Sequence, residues 1–243
     1  MSNQTITTFR MLPQEVVNQI LDYQTDYTIL CSMRDVCPEF NNIVDNYHRY
    51  QVLTTLDLGW NQIGNVGAKH LSDALRHNTT ITTLHLGWNQ AGDVDAQHLS
   101  DVIKHNTTIT TLDLRWNEIG DAGVQYLADA LRYNTVIIIL SSCISYLHLH
   151  FFIWVLITMN LQRNQIGDVG AQHPGDALQH NMTLATLDLA SNKIENVAAQ
   201  HLSDILEHNT TLTTLNLEEN ELDEDVERRI NELIERNQRL KKT

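Results

Sequence analysis

Twelve histidines in a chain of 243 residues raise the question of a metal site first. They form two ladders. His70, His98, His173 and His201 recur at one position, and His77, His105, His180 and His208 recur seven residues later. A zinc ion needs its ligand nitrogens about 2 Å away, grouped around one point. Seven residues of helix span about 10 Å, and packed helices lie about 8–10 Å apart. The ladders therefore read as solvated positions, and no metal or other cofactor is expected. The acidic run from Glu218 to Asp225 lacks the glycine-centred spacing of a calcium loop. No phosphate-binding loop, Gly-x-Ser-x-Gly, His-Glu-x-x-His or dinucleotide fingerprint occurs. Catalysis is not expected.

Recognition chemistry is better represented. Trp60, Trp88 and Trp116 each stand just before a recurring Asn. Asp57, His85, Asp113, Asp188 and Asn216 recur between two leucines, and Gly59, Gly87, Arg115, Gln162, Ala190 and Glu218 form the next row. Tryptophan is enriched at binding hot spots. The candidate partner-binding set is Asp57, Trp60, His85, Trp88, Asp113, Arg115, Trp116 and Asp188. The competing reading is that copies of one repeat share a Trp by duplication, packed on its neighbours.

The elements that must carry these rows come from internal repetition. Leu53–Thr80, Ile81–Thr108, Ile109–Val136 and Leu184–Thr211 are units of 28 residues, and a final charged unit runs from Leu212 to Thr243. In the first, Leu53, Leu56, Leu58 and Ile63 are spaced for a short strand and a turn into the core. Ala68, Leu71, Ala74 and Leu75 then make one helical stripe. Asn61 is placed to satisfy backbone groups of the turn. One strand–helix unit cannot bury its apolar side, whereas stacked units can, with strands in a parallel sheet. Side chains between the strand leucines alternate to the opposite face. Sequons begin at Asn78, Asn106, Asn181 and Asn209; their shared repeat position marks them as copies of a turn rather than glycan sites.

The pattern Leu-x-x-Leu-x-Leu-x-x-Asn-x-Ile-Gly-Asp-x-Gly-Ala resembles leucine-rich repeats of the ribonuclease-inhibitor type. The resemblance implies an α/β solenoid over residues 51–243, about six units, with parallel strands on a concave face and helices on a convex one. It also implies binding of other proteins.

The fourth unit, Ile137–Thr183, has 47 residues, 19 more than its neighbours. Ile137–Leu140 matches a repeat opening and Leu161 resumes the pattern, so the insertion is placed at residues 141–159. Residues 136–159 carry no Asp, Glu, Lys or Arg, long enough for a membrane span. A span there would put parts of one solenoid on opposite sides of a bilayer, with His148 and His150 at its centre. Extra buried strand and sequence never selected by the fold are the other two readings. Pro174 and Gly175 replace Leu71 and Ser72 of the first unit. Proline inside a helix costs about 3 kcal/mol and glycine about 1. This helix is expected to start late, bend or fray, and the two halves of the array to lose coupling.

Residues 1–50 carry no repeat. Three apolar stripes (Val16 to Tyr23, Ile29 to Cys37, Phe40 to Val44) predict three short helices. Leu12-Pro13, Glu15-Val16, Ile20-Leu21, Leu30, Met33-Arg34, Val36-Cys37, Phe40 and Ile43 resemble an F-box, although His48 or Tyr47 stands where many members have Trp. The family packs this segment on a Skp-type adaptor tied to a cullin–RING ubiquitin ligase. The resemblance carries Leu12, Pro13, Ile20, Leu21, Val36 and Cys37 over as adaptor contacts. The alternative is a cap covering the first repeat.

A formal charge of −14 argues against nucleic acid and anionic membrane surfaces as partners. Cys31, Cys37 and Cys143 are odd in number and form no Cys-x-x-Cys pair. No secretory leader is legible, so a cytoplasmic or nuclear location is expected. The combined expectation is a substrate-recruiting ubiquitin-ligase subunit holding an unidentified protein on its concave face. A plain repeat scaffold is the alternative.

Overall fold

The computed structural model describes residues 54–134 and 156–242. Residues 1–50, with the three expected helices and all six adaptor-contact candidates, lie outside them. So does the insertion up to Val155.

The described chain alternates strand and helix six times: β1 (Thr55–Asp57), α1 (Gly64–Leu75), β2 (Thr83–His85), α2 (Asp93–His105), β3 (Thr111–Asp113), α3 (Asp121–Tyr133), β4 (Thr158–Asn160), α4 (Asp168–Leu178), β5 (Thr186–Asp188), α5 (Asn196–Leu206), β6 (Thr214–Asn216) and α6 (Glu224–Leu240). The strands form one parallel sheet in chain order, and each helix packs on the next. Leu56, Leu84, Leu112, Met159, Leu187 and Leu215 make one buried row, and Leu58, Leu86, Leu114, Leu161, Leu189 and Leu217 the next. Leu71, Leu99, Leu127 and Leu202 meet them from the helices. Three-residue strands suffice because every strand gains its hydrogen bonds and apolar cover from neighbours in the stack.

The fourth unit departs from expectation in three ways. First, the insertion is misplaced in a reading over 141–159. Thr158, Met159 and Asn160 pair with Thr111, Leu112 and Asp113, so Leu156, Met159 and Leu161 supply the Leu-x-x-Leu-x-Leu spacing. Ile137 and Leu140 match the pattern by type, but Leu156–Leu161 runs unbroken into the following Asn164. A membrane span over 136–159 accordingly loses its last two residues, Thr158 and Met159, to the sheet. Among the described residues no helix is long and apolar enough to cross a membrane. Second, α4 starts at Asp168, in line with Asp93 and Asp121, and continues through a buried Pro174 to Leu178. Packing on both sides holds it, with Ile205, His201 and Leu202 of α5 closing over Gly175. Third, the array is not uncoupled: β3 pairs with β4, and α3 packs on α4.

Two asparagine ladders join the units. In the first, Asn89 Oδ1 accepts from the backbone N–H of Asn61 and Ile63 (3.0 and 3.3 Å), while its Nδ2 donates to the Leu58 and Leu86 carbonyls (both 2.9 Å). Asn117, Asn164, Asn192 and Asn220 repeat the arrangement. Asn61 also donates within its own turn, to the Gly59 carbonyl at 2.8 Å. In the second ladder, Asn106 Nδ2 donates to the Leu75 carbonyl (2.8 Å) and its Oδ1 accepts from Thr108 and Ile109 N–H (both 2.8 Å). Asn106, Asn181 and Asn209 are buried, as copies of an internal turn must be. Asn237 extends this ladder into the charged last helix, donating to the Asn209 and Leu212 carbonyls.

The helix starts are also tied. Asp93 Oδ1 accepts from Gly120 and Gly123 N–H (both 2.8 Å), and Asp121 Oδ1 from Gly167 N–H (2.7 Å). These carboxylates come so close that a Cβ on Gly123 would lie 2.5 Å from Asp93 Oδ1, and one on Gly170 would clash with Asp121 Oδ1.

Candidate functional site: a tryptophan-edged face of the sheet

The face of the sheet turned away from the helices carries the rows between the leucines. The first is Asp57, His85, Asp113, Asn160, Asp188 and Asn216, all in register. Asn160 holds the fourth place in this row, beside Asp113. Several of these side chains serve the backbone first. Oδ1 of Asp57, Asp113, Asn160, Asp188 and Asn216 accepts the N–H two residues on, at 2.9 to 3.1 Å. The strand ends there and that N–H has no ladder partner, so Asp and Asn interchange at this position without loss of the bond.

Beyond the strand the chain turns through a left-handed residue. Trp60, Trp88, Trp116, Arg163, Ser191 and Glu219 all occupy it, with φ between 52° and 64°. Such a conformation costs a non-glycine residue roughly 1–2 kcal/mol. The turn is held because each of the first five donates its N–H to a carbonyl of the next repeat, as Trp60 does to Gly87 at 3.1 Å. The consequence is a row of side chains projecting in register along one edge of the sheet.

In that row the three indoles stack. Trp60 and Trp88 have ring centroids 4.1 Å apart at 11°, and Trp88 and Trp116 4.0 Å apart at 14°. Offset aromatic pairs contribute about 0.5–1.5 kcal/mol each beyond their burial. Arg163 continues the stack: its guanidinium carbon lies 4.1 Å from the Trp116 ring centroid. Its Nη2 is 3.5 Å from Glu219 Oε2, and Ser191 Oγ donates to the same oxygen at 2.5 Å. The ladder therefore passes from aromatic to ionic at the fourth repeat rather than stopping there. Sequence reasoning missed Arg163. It was legible once Arg163 was aligned with Trp116.

Beside the indoles an open groove of about 340 Å³ is lined by Asp57, Gly59, Trp60, His85, Gly87, Trp88, Asp113 and Arg115. Inside it Arg115 folds back on Asp113, with Nε and Nη2 at 2.8 and 2.7 Å from Oδ2. His85 Nδ1 stands 3.4 Å from the same oxygen. Arg115 also covers Gly87, where a Cβ would come within 3.2 Å of the Arg115 carbonyl oxygen and 3.3 Å of its Cγ. Six of the eight partner-binding candidates thus line one groove. Trp116 extends its edge, and Asp188 lies two strands further along. The lining offers no hydroxyl or thiol nucleophile. Among the described residues no group of three His, Cys, Asp or Glu side chains could hold a metal ion. The arrangement presents flat aromatic surface, one internal ion pair and one carboxylate.

The Leucine Rich repeat family model matches residues 51–72, 77–100, 105–128, 156–172, 180–203 and 208–225. These segments make up more than half of the chain, and it belongs to the leucine-rich-repeat family. The fourth match begins at 156, where the sheet resumes. Among solved structures, the chain is similar to leiomodin-1 actin-binding site 2, with 19% identity, a TM-score of 0.45, and 78% of this chain and 83% of that one covered. It is also similar to the tropomodulin C-terminal domain of Caenorhabditis elegans, with 12% identity, a TM-score of 0.48, and 89% and 96% covered. No curated protein matches the chain.

Proposed function

We propose that this chain is a non-catalytic protein-binding adaptor that holds its partner on the open sheet face. The carrying observation is the Trp60–Trp88–Trp116 stack bordering the groove at Asp57, His85, Asp113 and Arg115. Flat, rigid aromatic surface beside a groove is what protein hot spots require. A photoreactive amino acid at Thr111, on the sheet face, tests the reading against one at Lys69, on the helix side. A partner crosslinked from Thr111, absent from Lys69 and lost on Trp88→Ser, is the expected result. Equal crosslinking from both sides defeats it.

The finer reading is a substrate-recruiting subunit of a cullin–RING ubiquitin ligase, built on repeats of the ribonuclease-inhibitor type. Its support is the N-terminal sequence pattern, with Leu12, Pro13, Ile20, Leu21, Val36 and Cys37 as the surface for a Skp-type adaptor. The groove would then hold the substrate, and the contribution to ubiquitin transfer would be proximity. Capture of purified Skp-type adaptor by the full chain, lost in Leu12→Asp/Ile20→Asp, is expected. A folded wild-type chain that captures none leaves a repeat scaffold whose N-terminal segment is a cap.

A further inference from the structure

The indole stack has two ends, and one carries a cation. Arg163 lies on Trp116 with Glu219 as its counter-ion. At the other end Trp60 is 72% exposed, and among the described residues its ring stacks on Trp88 alone. The adjoining Asp57 is exposed as well. Asp57 Oδ1 accepts the Gly59 N–H at 3.0 Å, and Asp57 enters no ion pair among the described residues.

Two repeats along, the same register shows what meets the carboxylate. Asp113 is followed two residues later by Arg115, whose guanidinium meets it at 2.7 and 2.8 Å. Asp57 is followed by Gly59 instead, so the first repeat has the carboxylate and the indole without a guanidinium of its own. We infer that this place takes an arginine side chain of the partner protein, stacked on the open face of Trp60 with its charge met by Asp57. The inference rests on the protein-binding reading and names the chemistry of the partner.

Physical reasons favour arginine over other occupants. A guanidinium is planar and weakly hydrated, so it stacks on an indole as Arg163 does, whereas an ammonium is a compact, strongly hydrated point charge. A nucleic-acid base also stacks on indoles, but its phosphates would meet a chain of formal charge −14. The same net charge attracts a basic partner over long range.

The test uses the full chain and two substitutions that its own repeats already tolerate. Trp60→Ser places in the first repeat the residue that Ser191 supplies at the same left-handed position. Asp57→Asn keeps the turn bond, as Asn160 and Asn216 do at 2.9 and 3.1 Å. Circular dichroism of both should match wild type. The probes are blocked tetra-arginine, blocked tetra-lysine and an oligothymidylate, followed by calorimetry and tryptophan fluorescence. Tetra-arginine should bind best, and each substitution should weaken it about three- to tenfold. Failure of tetra-arginine to bind, binding indifferent to both substitutions, or preference for tetra-lysine or the oligothymidylate overturns the inference. If it is overturned while the Thr111 crosslink persists, the face binds protein by other chemistry. If the crosslink is also absent, the binding reading fails with it.

Discussion

The backbone N–H of Leu156 donates to Oδ1 of Asn134 at 3.0 Å, across 22 residues of sequence. In an undisturbed repeat the same bond joins Ile81 to Asn78 at 2.8 Å, across three. The excess is the 19 residues of the insertion, so the repeat frame is left and re-entered at one asparagine.

Deletion of residues 137–155 should therefore yield a folded chain with six units in register. Leu156 would follow Val136 and restore the 28-residue spacing. One thermal transition by circular dichroism, with solubility at least that of wild type, is expected. Deletion of 141–159 also leaves a 28-residue unit, with Ile137–Leu140 in place of Leu156–Met159; it should fold too, with lower solubility because Ile139 replaces Thr158 on the sheet face. Failure of the 137–155 deletion to fold would contradict the frame assigned here.

Gly123 and Gly170 are needed for the space they leave. Alanine favours a helix over glycine by about 1 kcal/mol, yet the new Cβ would run into Asp93 Oδ1 or Asp121 Oδ1. Gly123→Ala and Gly170→Ala should each destabilise by about 1–3 kcal/mol in urea unfolding. The first interface solves the same contact differently: Asn65, with its amide nitrogen turned toward Asp95, donates to both carboxylate oxygens at 2.9 and 3.2 Å. Asp93→Asn/Gly123→Asp copies that pair and should be more stable than Asp93 combined with Gly123→Asp.

Asn181 is fully buried, donating to the Leu131 carbonyl at 3.0 Å and accepting from Thr183 and Leu184 N–H at 3.0 and 2.8 Å. Asn181→Ala orphans three backbone groups at once. A loss of about 2–4 kcal/mol is expected in chemical denaturation. A change within a few tenths would mean that water replaces the amide.

Asp95 should make stability depend on acidity in an unusual direction. Burial pushes its carboxyl above the ordinary 3.8, only partly offset by the Gly92 N–H and the nearby His98. The folded state then keeps a proton that the unfolded chain has released. This group's contribution falls as pH rises from 3.8 through the raised value, and is flat above it. Asp95→Asn cannot titrate, so its stability relative to wild type should climb across that window. Parallel pH profiles for the two proteins would refute the assignment.

The repeat length, the strand and helix positions and the face carrying Asp57, His85 and Asp113 could be read from residue order. Each follows from local periodicity, and 28-residue repetition multiplies the signal. The Trp60, Trp88 and Trp116 row was readable for the same reason. Pairing of distant residues decided the rest. Ile137–Leu140 and Leu156–Leu161 both carry the apolar pattern, and only the bonds to Thr110 and Asn134 select the second. Pro174 opposes a helix in isolation, but α3 and α5 on either side supply packing that a local propensity does not contain. Arg163 acquires its role from lying against Trp116, 47 positions earlier, and Asp113 pairs with Arg115 because Gly87 leaves room for the guanidinium to fold back. Propensity and periodicity are properties of neighbours in sequence. Stacking, clearance and charge pairing are properties of neighbours in space, and these come into existence only when the repeats are laid against one another.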